Sequence, residues 1–279
     1  MDRSLQRKQG ALEMRLEAAG PVAIAYSGGV DSTFLLSVAA EVLGDSVLAL
    51  RALTPAQPDN PRADPREFCL QRDIALEEFP LGEEGIPGFM ENPAERCYLC
   101  KRHLFEKAWG MARQRGLERL CDGSNADDCL EHRPGRRALE ELQVATPLAD
   151  CGLTKADVRE LSRQRGLPTA DQPAAACLYT RFPTGCPLQP ERLEAIAAAE
   201  ALLAQEGFAD GRVRIEGSGA RIEVRRDQVP RLASEEVSGP LREALQALGF
   251  TAVAIDPRGY RLGGAGSLAD PDEAQPQPQ

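Results

Sequence analysis

Histidine is almost missing from this chain: its 279 residues include 2, His103 and His132. A metal centre built on several imidazoles is therefore not on offer. No apolar run approaches the roughly 20 residues of a membrane span, and Met1 to Gly10 are polar and charged, without a signal-peptide core behind them. There is no excess of base: 33 Lys plus Arg stand against 43 Asp plus Glu, a formal charge of −10. That balance argues against a general nucleic-acid binder and leaves room for only a local basic groove. No internal repeat is visible. What the chain does hold is ordinary globular composition, 42% hydrophobic and 27% charged, and 8 cysteines. In a long chain read as cytoplasmic, these cysteines point to metal or thiol chemistry more than to a disulfide framework.

Periodicity gives the organisation. Residues 1–19 read as a helix with Leu5, Leu12 and Leu16 on one stripe, stopped by Gly20-Pro21. Val22–Tyr26 is a short apolar run of the buried-strand type. A turn at Ser27–Ser32, a helix over Thr33–Leu43 and a strand at Val47–Leu53 follow, the opening of a parallel α/β sheet. Prolines at 55, 58, 61 and 65 mark a loop. A helix is expected over Glu67–Ala75, a strand over Ala75–Phe79, an interrupted flap over Leu81–Pro93, a helix over Arg102–Gly116 and a strand over Leu117–Cys121. Thr154 caps a helix running to Gln164, with Asp157 in its first turn. After Gln189 the texture shifts. Glu191–Gln205 is strongly helical. Arg212–Glu216 and Ala220–Arg226 alternate around Gly217-Ser218-Gly219 as a hairpin. A helix over Leu241–Leu248 and a strand over Thr251–Asp256 close a smaller α+β region. The tail from Ala269, rich in Pro and Gln, is expected to be disordered.

The sharpest local signal is Ser27-Gly28-Gly29-Val30-Asp31-Ser32, between an apolar strand and a helix. Helix N-termini carry unpaired N–H groups and partial positive charge, so anions settle there. Gly28 and Gly29 let the backbone come close. Ser27 and Ser32 add donors, and Asp31 can cap the helix or help hold a metal ion. No Lys follows a Gly-x-x-x-x-Gly, so this is not the Walker loop. A plain glycine turn closing a strand–helix unit is the competing reading.

The cysteines offer two further features. Cys97 and Cys100 form a C-x-x-C, able to chelate one soft metal or a cluster edge. No second C-x-x-C exists, so a four-cysteine zinc site is not written here. Cys177 follows three alanines and precedes Arg181, a cation able to favour the thiolate; the same context also suits a buried core thiol. Two lesser features are the polar turn Asp122–Asp128 at a strand end, where α/β proteins place ligands, and Arg212 with Arg214 on one strand face, suited to a phosphate or to a solvated surface.

The loop string resembles that of the N-type ATP pyrophosphatases, which cleave ATP between its α- and β-phosphates. Together with Arg96-Cys97-Tyr98-x-Cys100-Lys101, the stretch from Asp122 to Asp128, Arg133-Pro134-Gly135, Pro147-Leu148, Gly152-Leu153-Thr154-Lys155, Gly166-Leu167-Pro168-Thr169, Pro173 through Arg181 and the late strands, the chain is similar up to about Gly264 to the LarE family of ATP-dependent sacrificial sulfur transferases in nickel-pincer cofactor biosynthesis. The resemblance implies an α/β fold, a parallel-sheet PP-loop ATP pyrophosphatase (adenine nucleotide α-hydrolase-like) domain over residues 1–188 with a smaller α+β domain over 189–268. It implies ATP and Mg²⁺, bound by Ser27 to Ser32 and Asp128, and adenylylation of a carboxylate of pyridinium-3,5-biscarboxylic acid mononucleotide. Arg212 and Arg214 would take that substrate's phosphate. Cys177 would either surrender its own sulfur or, with Cys97 and Cys100, hold a [4Fe–4S] cluster carrying sulfide, as in cluster-dependent tRNA thiolases. Cys186 is a spare thiol, and Cys69, Cys121, Cys129 and Cys151 read as structural. Glu216 stands where relatives often carry His. A small-molecule substrate, a homo-oligomer, and no membrane or nucleic-acid partner are expected. The competitors are a tRNA thiolase, an amide-forming ligase of the NAD or GMP synthetase type, and a non-enzymatic ATP or iron–sulfur carrier.

Overall fold

A computed structural model of the chain describes residues 3–57, 63–129, 134–172 and 176–260, and of Cys129 the backbone alone. Arg133, Pro173 to Ala175, the prolines at 58 and 61, and the tail from Ala269 lie outside the described residues. The chain forms two compact units. The first comprises Met1–Thr54, Asp59–Phe89 and Glu95–Ala175; the second takes Pro55–Pro58, Met90–Ala94 and everything from Ala176 onward.

The first unit is built on four parallel strands, β1 (Val22–Ala25), β2 (Val47–Leu53), β3 (Ala75–Pro80) and β4 (Leu120–Cys121), in the order β3-β2-β1-β4. The continuous apolar runs have a simple cause. Alternate side chains go to opposite faces, and both faces are covered. Val22, Ile24, Val47 and Ala49 join one core with Leu12 and Leu16 of α1 (Arg3–Ala19), Phe34 and Leu35 of α2 (Val30–Leu43), and Val158 and Leu161 further on. Ala23, Leu48 and Leu50 turn to the other face, where they meet Phe79 and later helical residues Phe105, Ala108 and Leu139. The remaining helices of this unit are α3 (Pro65–Leu70), α4 (Arg96–Gln114), α5 (Pro134–Glu141), α6 (Pro147–Asp150) and α7 (Lys155–Gln164). A parallel bridge from Cys121 to Ala145 extends the β4 edge.

Several boundaries depart from the sequence expectations. The helix expected from Arg102 begins at Arg96, so the C-x-x-C lies in its first turns. The helix expected to reach Ala75 stops at Leu70, and the left-handed Asp73 (φ 54°) turns the chain into β3. The strand expected from Leu117 is confined to Leu120–Cys121. Helix α5 has no counterpart among those expectations. It starts on Pro134, whose fixed φ suits a first helical position, and buries Ala138 and Leu139.

The second unit pairs β5 (Arg212–Glu216) antiparallel with β6 (Gly219–Glu223), and β6 parallel with β7 (Val253–Ile255). Gly217 (φ 57°) makes the turn of the hairpin. One sheet face carries Val213, Ile215, Ala220 and Ile222, all buried. Helices α8 (Pro190–Gln205) and α10 (Glu235–Ala247) lie against this sheet, with the short α9 (Val229–Leu232) before α10. Helix α10 starts ahead of the expected Leu241 and tolerates Pro240 inside it, a residue that normally breaks an interior turn. Among the described residues no helix is long and apolar enough to cross a membrane.

Candidate functional site: a phosphate loop and a thiol-bearing turn

At the carboxyl end of β1 the chain makes a tight loop before α2. Tyr26 N–H donates to the Leu50 carbonyl at 2.8 Å. The Ser27 and Ser32 hydroxyls lie 3.0 Å apart, Gly29 N–H donates to Ser27 Oγ at 3.3 Å, and Ser32 Oγ donates to the Gly29 carbonyl at 3.2 Å. Gly28 has φ 75°, and a Cβ there would stand 2.7 Å from Pro65 Cγ. The N-cap of α2 is Gly29, with no side-chain cap. Its first-turn amides are thus not spent on a capping side chain, as an anion site requires. The capping role open to Asp31 in the sequence is not the one it takes.

Asp31 instead anchors an electrostatic cluster. Its Oδ2 accepts from Lys155 Nζ at 2.5 Å. Its Oδ1 is buried without a hydrogen bond. Burial raises its pKa, and the Asp128 carboxylate raises it further, against the pull of Lys155 and Asn125. The 122–128 turn is held to this spot by backbone geometry. A Cβ on Gly123 would lie 2.9 Å from Ser32 N. Asn125 N–H donates to Asp128 Oδ2 at 3.0 Å, and Lys155 N–H donates to Asp127 Oδ2 at 2.8 Å. The loop, Asp31 and Asp128 are therefore brought together.

Asn125 belongs to the 122–128 turn that the sequence marked, whereas Lys155, which the sequence reading gave no role, joins the cluster through Asp31. Lys155 had a legible signal: it occupies the first position of α7, where a cation opposes the helix dipole and needs a local anion to justify it. This cluster fits Mg²⁺, which takes one or two carboxylates and completes its shell with substrate phosphates and water. The orphaned Asp31 Oδ1 is the atom such an ion would satisfy.

Cys97 is exposed and Cys100 half-buried on α4. Tyr98 between them is buried, donates to Glu141 Oε2 at 2.7 Å, and carries the Arg137 guanidinium 3.5 Å above its ring. Gly135 makes room for the Lys101 stem, whose Cδ would lie 2.8 Å from a Cβ there. Among the described residues no group of three or more His, Cys, Asp and Glu side chains is gathered for a metal ion.

In the second unit Cys177 is exposed. It precedes a 3₁₀ turn over Leu178–Arg181. Its carbonyl accepts from Thr180 N–H at 2.9 Å and Thr180 Oγ1 at 2.7 Å. Leu178 N–H donates to the Ala56 carbonyl at 2.8 Å. Arg181 is 2% exposed and grips Glu200 through Nε at 2.6 Å and a terminal nitrogen at 3.0 Å. Its charge is thus largely neutralised by Glu200 rather than left to act on the thiol.

Arg212 and Arg214 do share one face of β5. Arg214 is withdrawn from solvent, and Arg212 is half-buried. Arg214 is buried, pairs with Glu223 at 2.7 Å and donates to the Thr180 carbonyl at 2.9 Å. Arg212 lies 5.6 Å from the Tyr260 ring centroid, its pKa lowered by burial and by Arg181. Glu216, at the exposed strand end, pairs with Arg221 at 2.8 Å. Of the remaining thiols, Cys186 and Cys151 are half-buried and Cys69 and Cys121 buried. Burial pushes Cys69 up to about 11 and Cys121 up to about 12.

A parallel sheet whose first strand enters Ser-Gly-Gly-Val-Asp-Ser at a helix N-terminus, followed by a small mixed sheet, is the adenine nucleotide α-hydrolase-like architecture of the PP-loop ATP pyrophosphatases. No family model matches the chain. It is 37% identical over 240 residues, 86% of its length and 90% of the relative's, to the uncharacterised protein slr1717 of Synechocystis, and it belongs to the same family. It is 28% identical over 261 residues, 93% of its length and 94% of the relative's, to the pyridinium-3,5-bisthiocarboxylic acid mononucleotide synthase of Lactiplantibacillus plantarum. Over 179 residues, 57% of this chain and 56% of the relative, it is 26% identical to one component of the glutamine-hydrolysing GMP synthase of Thermoplasma volcanium.

Proposed function

We propose that this protein is an ATP-dependent sulfur transferase that converts a carboxylate of a pyridinium mononucleotide to a thiocarboxylate, with Cys177 as the sulfur-bearing nucleophile. A carboxylate repels nucleophiles, so it must first be activated. One of its oxygens attacks the α-phosphorus of ATP and pyrophosphate leaves. The amides and hydroxyls of residues 27–32 receive that pyrophosphate, and Lys155 exchanges Asp31 for a phosphate oxygen. Mg²⁺, held at Asp31 with Asp128 nearby, offsets phosphate charge when bound. The Cys177 thiolate then attacks the acyl-adenylate carbonyl, AMP leaves, and a thioester joins substrate to protein. Removal of the Cys177 α-proton with cleavage of its Cβ–S bond releases the thiocarboxylate and leaves dehydroalanine.

The observation that carries this reading is the exposure of Cys177 on a turn whose neighbours Thr180 and Arg181 are pinned by Arg214 and Glu200. A core thiol would be buried, as Cys69 and Cys121 are. Likeness across both units to the Lactiplantibacillus plantarum synthase supports the same substrate class. The C-x-x-C supplies two donors for a cluster, but no trio is gathered among the described residues, so no step is routed through one.

The test is single-turnover mass spectrometry with ATP, Mg²⁺ and the biscarboxylate mononucleotide. Wild-type protein should release pyrophosphate and lose about 34 Da, the mass of H₂S. Cys177→Ala should still release pyrophosphate but form no thiocarboxylate. An alanine variant that still transfers sulfur would sink the proposal. Unchanged chain mass with iron bound after anaerobic preparation would replace the self-consuming route by the cluster route.

A further inference from the structure

The carboxyl ends of β2 and β3 hold a buried carboxylate outside the phosphate-loop cluster. Glu83 is 4% exposed and opens a single 3₁₀ turn, Glu83–Gly85, just past β3. Its Oε1 accepts from the hydroxyl of Thr54, the residue after β2. Its Oε2 makes no hydrogen bond, and the carboxylate has no ion pair, among the described residues. The turn is firmly set. Leu81 N–H donates to the Leu53 carbonyl at 2.8 Å, and His103 Nε2 lies 3.0 Å from the Leu81 carbonyl. Lys107 Nζ donates to the carbonyls of Pro80 and Leu81 at 3.0 and 2.7 Å. That ammonium is thus spent on backbone and leaves Glu83 without a cation. A buried carboxylate held by one neutral donor is costly, and a donor brought by a ligand offsets that cost.

The place of this carboxylate suits one kind of ligand. Strands β1 and β2 run parallel with Ala25 opposite Leu50, and Tyr26 N–H, at the root of the phosphate loop, donates to the Leu50 carbonyl. From Leu50, β2 continues to Leu53, about 10 Å at the usual strand rise. Thr54 and Glu83 therefore stand past the root of the loop, at the same carboxyl edge of the sheet, where open α/β folds seat their ligands. A nucleotide whose phosphates occupy residues 27–32 has its nucleoside half to place along this edge. In ATP that half carries hydrogen-bond donors at two places, the ribose hydroxyls and the 6-amino group of adenine. We propose that Glu83 is a specificity residue that accepts a hydrogen bond from the nucleoside half of ATP, an inference that rests on the reading of the phosphate loop as an ATP site. A carboxylate here also repels a phosphate, so it favours the orientation in which the triphosphate lies on the loop.

The test is calorimetric titration of the full-length protein with Mg²⁺ and, in turn, ATP, 2′-deoxy-ATP, 3′-deoxy-ATP and purine riboside triphosphate, which lacks the 6-amino group. The carboxylate substrate is left out, so the result does not depend on sulfur transfer. Wild type should bind at least one of the three analogues at least about 10-fold more weakly than ATP, and the analogue that suffers identifies the group Glu83 holds. In Glu83→Ala, ATP should fall to the affinity of that analogue, while the analogue itself should lose nothing further. If the alanine variant does not fold, Glu83→Gln takes its place. Its neutral oxygen is a weaker acceptor, and the preference should narrow to about 3-fold. Wild type that binds all four nucleotides equally, or a folded variant that keeps the wild-type preference, overturns the proposal and leaves the ATP reading of the loop standing. Wild type that binds none of them overturns both.

Discussion

Asp31 is a carboxylate under tension. It is desolvated, faces a second carboxylate at Asp128, and leaves one oxygen without a hydrogen bond. A folded pKa above the unfolded one means that the charged form is penalised by folding, so this group's contribution worsens as pH rises through its folded value and recovers on acidification. Asp31→Asn should therefore leave the nucleotide-free protein as stable as wild type, or more so, at neutral pH, with the gap closing as pH falls; thermal melts across pH read it directly. The same variant should lose at least about 100-fold in ATP-dependent pyrophosphate release. At this scale the six loop residues were legible because glycine, serine and aspartate have specific uses beside an anion. Lys155 was harder to see, because its partner lies far away in sequence and only the anomaly of a cation at a helix start marked it.

The elements read well where both faces of a strand are covered, since an unbroken apolar run of strand length fits little else; β2 spans Val47–Leu53 as expected. They read poorly where proline carries two meanings. Pro134 opens α5 and Pro240 lies inside α10, yet in sequence each looks like punctuation. Helix α7 was legible from its ends: Thr154 accepts from Asp157 N–H at 3.2 Å, and Asp157 accepts from Thr154 N–H at 3.0 Å. Thr154→Ala should cost about 1 kcal/mol, measurable by denaturant titration, and should also raise the KM for ATP because the first turn carries Lys155. Gly28→Ala asks for a left-handed residue with a Cβ 2.7 Å from Pro65. Nucleotide binding should be lost before the fold is, a separation that calorimetry alongside circular dichroism can check.

Across the whole molecule the described thiols range from exposed to buried, with Cys100, Cys151 and Cys186 between the extremes. Cys97 and Cys177 are exposed, whereas Cys69 and Cys121 are buried with raised pKa values. Limiting alkylation of native protein should mark the first pair quickly and the second only after denaturant is added, because thiolate and access are both needed. The separate α+β texture after Gln189 was visible in composition. The contribution of Pro55–Pro58 and Met90–Ala94 to the second unit was not, since nothing in a short proline-rich loop announces which distant strand or turn it will join. That threading bears on how the protein is made. Ala56 leaves the ribosome long before Leu178, and at about 5–20 residues per second its carbonyl waits several seconds for the amide that will claim it. The phosphate loop's sheet can form during that interval, while the cysteine-bearing turn must be completed late in translation, on a chain whose nucleotide-binding half is already in place.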